Sequence, residues 1–236
     1  TVHNWRHFFL AQMCSCLCAF ITLLAGAAAP AADQKLVIVQ KKPPQIETRV
    51  FHKDDPTSEV PLKTDRDATT NWDFHYVVDL SYDIASSKKT GEDTCVVIKI
   101  TRAHIKLELP MVIWIPENVD EKLLSHEDGH KQIAEDIYKN ADAVAADQAR
   151  AMLNATFTGK GKNEHEACAD AVHAAATELN RQYRKEVLDY SKRASDLYDD
   201  LTQHGKNKRP VFLAVREALF RTYLDRMCAR FPWLRK

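Results

Sequence analysis

The sequence predicts an α+β protein, with an N-terminal antiparallel β-sheet followed by long α-helices. Three observations carry this. Between residues 72 and 84 apolar side chains alternate with mostly polar ones, the period of a strand with one buried face. After Glu117 the apolar spacing changes to threes and fours, the period of a helix. The 236 residues include only 6 glycines, and long stretches rich in Ala, Glu, Lys and Asp point to much helix.

The first 32 residues are a different material. Arg6 is followed by no charge from Phe8 to Ala32, and Ala27, Ala28, Ala29 and Ala31 cluster at the exit. A charged start, an apolar middle and a small-residue exit make a secretory signal peptide, which sends a protein to the periplasm or out of the cell. Left uncleaved, the run is long enough to act as an N-terminal anchor, and membrane contact is expected only in that case. Cleavage would remove Cys14, Cys16 and Cys18 and leave Cys95, Cys168 and Cys228. In an oxidising compartment two of these three can pair and leave one over, and spacing does not choose among the three pairings. Cys95–Cys168, which would tie the strand region to a helix, is the favoured one. No remaining pair has CxxC spacing, so cysteine-ligated zinc is not expected. Lys+Arg and Asp+Glu balance at 33 each, which gives no footprint for nucleic acid.

The β region spans residues 35 to 116. "KLVIVQ" is a short apolar run ended by the paired prolines of "KKPPQ". "HKDDPTSEVP" reads as a loop. "WDFHYVVDLSYDI" is the clearest strand, with Trp72, Phe74, Tyr76, Val78, Leu80, Tyr82 and Ile84 on one face. "SSKKTGED" turns the chain and "TCVVIKITRAHIKLELP" returns it. In the return, Ile98 and Ile100 lie in one phase and Ala103, Ile105, Leu107 and Leu109 in the other, so a bulge is expected near Thr101. The helical region follows. One unbroken helix is predicted from about 119 to 153 and a second from about 164 to 204, separated by "NATFTGKGKN" and stopped by Gly205. Pro210 opens a last helix, "VFLAVREALFRTYLDRMCARF". The expected organisation is therefore a signal peptide or anchor (1–32), a main domain (33–205) and a C-terminal helix packed on it (206–236).

Within the first long helix stands "SHEDGH", residues 125 to 130. Residues four apart project from nearly the same side of a helix, about 40° apart, so His126 and His130 can reach one metal ion. They also continue the inward stripe of Ile133, Ile137, Ala141 and Val144, so both face the core rather than solvent. Glu127 sits about 100° round from His126, placed to touch a water on such an ion. In this His-Glu-x-x-His arrangement zinc lowers the pKa of its water to about 7, and Glu127 takes the proton and returns it to the leaving amine.

A catalytic zinc needs a third protein ligand. The second helix offers His204, which extends the stripe 194, 197, 201, with Tyr198, Asp199 and Thr202 close enough to orient an imidazole or bind a developing oxyanion. A straight antiparallel helix pair turning near residue 159 would instead set Glu186 or Asp189 opposite the motif, with His204 about 24 Å too far along. His204 therefore requires that the second helix bend or break, or that the two cross at an angle.

The export signal, "NWDFHYVVDLSYDI", "LPMVIWIPENV", "SHEDGHKQIA" and "YDDLTQHG" together resemble a bacterial family of predicted secreted zinc-dependent proteases, over about residues 35 to 205. The resemblance implies a zincin-like active-site helix, zinc held by His126, His130 and His204, Glu127 as catalytic base, and a peptide or protein substrate. "HIKLELPMVIWI" is the segment expected to form an edge strand that could hold such a peptide by main-chain pairing. The competing readings are a non-catalytic exported helical scaffold with a structural metal, and a zinc amidase acting on cell-wall peptides.

Overall fold

The computed structural model describes residues 36–52, 67–231 and 233. The expected signal peptide lies outside the described residues. Strands β1 (Val37–Lys41), β2 (Gln45–Phe51), β3 (Thr69–Trp72), β4 (His75–Thr90), β5 (Asp93–Glu108) and β6 (Pro110–Pro116) come first. Helices α1 (Glu121–Tyr138) and α2 (Ala141–Met152) follow, then strand β7 (Thr156–Gly161) and helix α3 (Glu164–Tyr183). A π-helical turn (Arg184–Leu188) leads into α4 (Asp189–Thr202), and α5 (Val211–Arg230) is the last long helix among the described residues. Strands first and long helices after make this a mixed α+β fold, as the change of period predicts.

The β region differs from the expected single antiparallel sheet. It forms two mixed sheets, β1-β5-β4 with β7 also pairing β5, and β2-β6-β3. In each, the earliest strand runs parallel to the central one and the others antiparallel. Alternation reveals which face of a strand is buried, but not its partner or direction. The β7 strand was missed because "TFTGKG" carries two glycines and little apolar surface. The "HIKLELPMVIWI" segment is not an edge either: its two halves are the central strands β5 and β6. Ile105, Leu107 and Leu109 are wholly buried there, as central strands require.

The bulge near Thr101 is present. Ser81 pairs with Arg102 and Tyr82 with Ile100, leaving Thr101 without a partner across the ladder. The extra residue keeps Ile100 and Ala103 on the same face despite their three-residue step. One face of β5 is therefore buried along its length. Its first half (Val96, Ile98, Ile100) packs on Ala167, Ala171, Ala175 and Leu179 of α3. Its second half (Ala103, Ile105, Leu107) packs in the main cluster with Ile133 and Ile137 of α1 and Tyr198 of α4.

Both long helices are interrupted. The first stops at Tyr138 and restarts at Ala141, with neither proline nor glycine to announce it. The signal is tertiary: Lys41 of β1 donates to the carbonyls of Lys139 (2.7 Å) and Tyr138 (3.4 Å) and also pairs with Asp142. An ammonium on the last carbonyls satisfies a helix end that would otherwise continue. The second long helix contains the π turn and ends at Thr202 rather than at Gly205. A π turn holds an extra residue, which rotates everything downstream relative to the face before it. The predicted inward stripe ran through Tyr190, Ala194, Leu197 and Leu201; the buried one runs through Ser191, Ala194, Ser195, Tyr198 and Thr202.

Cys95, Cys168 and Cys228 are free thiols, which corrects the expected Cys95–Cys168 bridge. Cys168 lies in the cluster with Val96 and Ile98, whereas Cys95, one residue before Val96, points to the other face of β5.

Candidate metal centre

Helix α1 begins behind Asp120, whose carboxylate accepts from the Leu123 amide at 2.6 Å, a side-chain N-cap. The motif occupies the next two turns, and helical spacing sets His126 and His130 on the inward side. Both are buried, as is Glu127 between them. The second helix supplies the opposite wall. Behind the π turn, α4 directs Ser195, Tyr198, Asp199 and Thr202 at the histidines.

Three donor atoms converge. Asp199 Oδ1 lies 2.9 Å from His130 Nε2 and 3.2 Å from His126 Nε2, and the two Nε2 atoms are 3.2 Å apart. Each ring is fixed from behind. His130 Nδ1 is 2.6 Å from Ser195 Oγ. His126 Nδ1 is 3.4 Å from Thr202 Oγ1, which donates its own proton to the Tyr198 carbonyl at 2.7 Å and so is left to accept. In the tautomer that places the proton of each ring on Nδ1, towards these hydroxyls, both Nε2 lone pairs face the carboxylate and a cation among the three atoms would satisfy them. Donors arranged tetrahedrally at zinc bond lengths stand about 3.3–3.6 Å apart, so this triangle needs to open by only a few tenths of an ångström. The buried group His126, His130 and Asp199 could hold a metal ion.

His204 is brought to the same place but not into the compact group. Its Nδ1 is 3.5 Å from the shared Asp199 oxygen, and its side chain is 51% exposed where the other three are 4–6%. The π turn interrupts the second predicted helix ahead of α4, and α4 packs on α1. Gln203, His204 and Gly205 all have positive φ, 52°, 53° and 75°. Two consecutive non-glycine residues in that region are uncommon, and they fold the chain back over the site. A Cβ on Gly205 would stand 3.0 Å from His126 Cβ and Cγ, so the backbone closes directly onto that ring. Glu186, the carboxylate favoured by straight helices, is instead paired with Arg226.

Glu127 has its own partner. Thr70 of β3 donates to Glu127 Oε2 at 2.7 Å, and its Oγ1 is 3.2 Å from the Glu127 carbonyl. From the same strand, Trp72 stacks near His130 with centroids 6.2 Å apart. Beneath the motif, Tyr198 stacks on His126 at 5.1 Å and donates to the His126 carbonyl at 3.2 Å. Burial first, then the charges of Glu127, Asp199 and Asp128, push its phenol far above the usual range, so it remains a donor. The ring fits because residue 129 is glycine: a Cβ there would meet the Tyr198 hydroxyl at 2.2 Å.

The sequence identified His126, Glu127, His130 and His204, and "YDDLTQHG" drew attention to Tyr198, Asp199 and Thr202. It assigned those three to orienting an imidazole or binding an oxyanion, with no ligand role for Asp199, and it does not point to Ser195 or Thr70. A signal for the helix residues existed: Ser191, Ser195 and Asp199 fall four apart, a row of short polar groups on one side of the helix. Nothing local marks Thr70.

No protein-family model, no curated protein and no solved structure matches this chain.

Proposed function

We propose that the protein is an exported zinc-dependent metallopeptidase, of the kind its sequence resembles, and that α1 is a zincin-like active-site helix. The observation that carries this reading is the convergence of His126 Nε2, His130 Nε2 and Asp199 Oδ1 beside a buried glutamate one residue along the motif. Zinc bound there would supply a Lewis acid and a water acidic enough to lose its proton near neutral pH. His126, His130 and Asp199 form the buried donor set, and His204 stands on its solvent side, placed to complete that set or to meet a substrate. Ser195 and Thr202 hold the two rings in the tautomer that leaves Nε2 free. Thr70 holds the Glu127 carboxylate, which takes the proton of the attacking water and delivers it to the departing amine nitrogen. Strand β3 is an edge of its sheet among the described residues, and it adjoins the site through Thr70 and Trp72. An extended peptide pairing with that edge would lie beside the reacting groups.

The test is turnover of casein, short peptides and peptidoglycan fragments by the zinc-loaded protein and by Glu127→Ala. The reading expects cleavage of peptide bonds by the wild type, and in the variant no turnover with zinc still bound. Cleavage by the variant would remove Glu127 from its role; turnover of peptidoglycan fragments alone would assign a cell-wall amidase. Burial of all three donors gives weight to a second reading, a structural metal in a non-catalytic scaffold. That reading expects zinc to raise the melting temperature with no substrate consumed.

A further inference from the structure

Helix α5 has two apolar stripes, where a helix packed on a protein surface needs one. Ala214, Val215, Ala218 and Thr222 are buried on the side towards α1 and α4. Phe212, Leu213, Phe220, Tyr223 and Leu224 are each at least 42% exposed. At 100° per residue these five fall in one arc of about 120°, centred nearly opposite the buried stripe. Trp233, just beyond the helix, is 69% exposed. A contiguous patch of this kind marks a surface that is covered in use.

The charges around it choose the occupant. Arg216 is exposed inside the arc and Arg230 at its border. The acidic neighbour at the other border, Glu217, already pairs with Arg209 and Arg221. Asp225 lies about 160° from the centre of the arc. A second copy seated on this face would bring arginines against arginines with no free carboxylate between them. Aromatic and leucine side chains with a cationic rim match an anionic lipid surface. No described helix is long and apolar enough to cross a membrane, so such a helix would lie on the bilayer.

We propose that α5 seats the protein on an anionic membrane, with the Phe212–Leu224 stripe among the acyl chains and Arg216 and Arg230 at the phosphates. This contact is separate from any made by the N-terminal apolar segment, and it does not depend on the metal. Both core clusters draw all their members from Val37 onward, within one compact unit from Leu36, so the chain from Asp33 is the test protein. Its flotation is measured with vesicles of phosphatidylcholine containing phosphatidylglycerol, and with phosphatidylcholine alone. The wild type is expected to float with the anionic vesicles only. Phe220→Glu with Leu224→Glu should lower the partition at least tenfold, and Arg216→Gln about fivefold. Both should leave the melting temperature in place, since all three side chains are exposed. Equal flotation of the double variant, or no flotation of the wild type, would overturn the proposal. So would a lipid-free dimer, seen by sedimentation, that the double variant dissolves, because the occupant would then be a second copy.

Discussion

Replacing Gly129 by alanine tests how closely Tyr198 is seated beneath the two histidines. The new Cβ would stand 2.2 Å from the Tyr198 hydroxyl, 2.4 Å from Cζ and 3.0 Å from Cε1, against a ring that is fully buried. A ring enclosed in this way has nowhere to turn, so the upper part of the overpacking range applies, about 3 kcal/mol. Displacing the hydroxyl from the His126 carbonyl removes a hydrogen bond, about 1 kcal/mol more. Alanine gains about 1 kcal/mol over glycine in a helix interior. The net loss is about 3 kcal/mol, a fall of roughly 6–12 °C in melting temperature for a domain of this size. Thermal unfolding followed by circular dichroism reads it, with zinc affinity measured alongside. Gly129→Ala should melt low and bind zinc weakly. Adding Tyr198→Phe should restore part of the stability, because the nearest clashing atom leaves while Cζ remains. A Gly129→Ala protein that melts at or above wild type with unchanged zinc affinity would refute the placement of Tyr198 under the motif.

Other consequences follow from the same geometry. Thr70→Val keeps the side-chain volume and removes the donor to Glu127, so turnover should fall about 10–100-fold with zinc retained; an unchanged rate would show that the Thr70 contact does not position the base. Ser195→Ala leaves His130 Nδ1 without its partner and should weaken zinc binding by about 10–100-fold, measured by competition with a chelating dye. Because its carboxylate is buried among the imidazoles, Asp199→Ala should weaken zinc binding more than the half-exposed His204→Ala, and the reverse order would make His204 the third ligand. Thiol titration of the unfolded chain from Asp33 should find three reactive cysteines without reductant, where one would indicate a disulfide.

What could be read from the sequence was periodic. Alternation gave the half-buried face at the start of β4 (Tyr76, Val78 and Leu80). Tyr82 and Ile84 of the same predicted face are exposed, however, and Trp72 belongs to β3, so the strand read from 72 to 84 is two strands in two sheets. The slip at Thr101 gave the bulge that keeps one side of β5 in the core. The stepped spacing from His126 to Ile137 placed both histidines inward, and they are buried. What could not be read depended on distant partners. Lys41 ends α1 from 98 residues away in sequence, and no local rule contains that contact. The π turn at Arg184–Leu188 shifts the inward face of α4 onto serines, a threonine and Asp199. A hydrophobic stripe drawn through Leu197 and Leu201 therefore follows the neighbouring face. Polar side chains turn inward there because the histidines opposite them provide hydrogen-bonding partners that an apolar wall would lack. Thr70 was hidden for the same reason, since its importance comes from a contact 57 positions away.

The central claim is that two imidazoles and the Asp199 carboxylate bind one divalent cation. The most direct test is elemental analysis of the protein after zinc loading and gel filtration, for wild type, His126→Ala and Asp199→Ala. One zinc per wild-type chain, with loss from both variants while each remains folded, is the predicted result. A wild type that emerges without metal, or an Asp199→Ala protein that keeps its full equivalent, would contradict it.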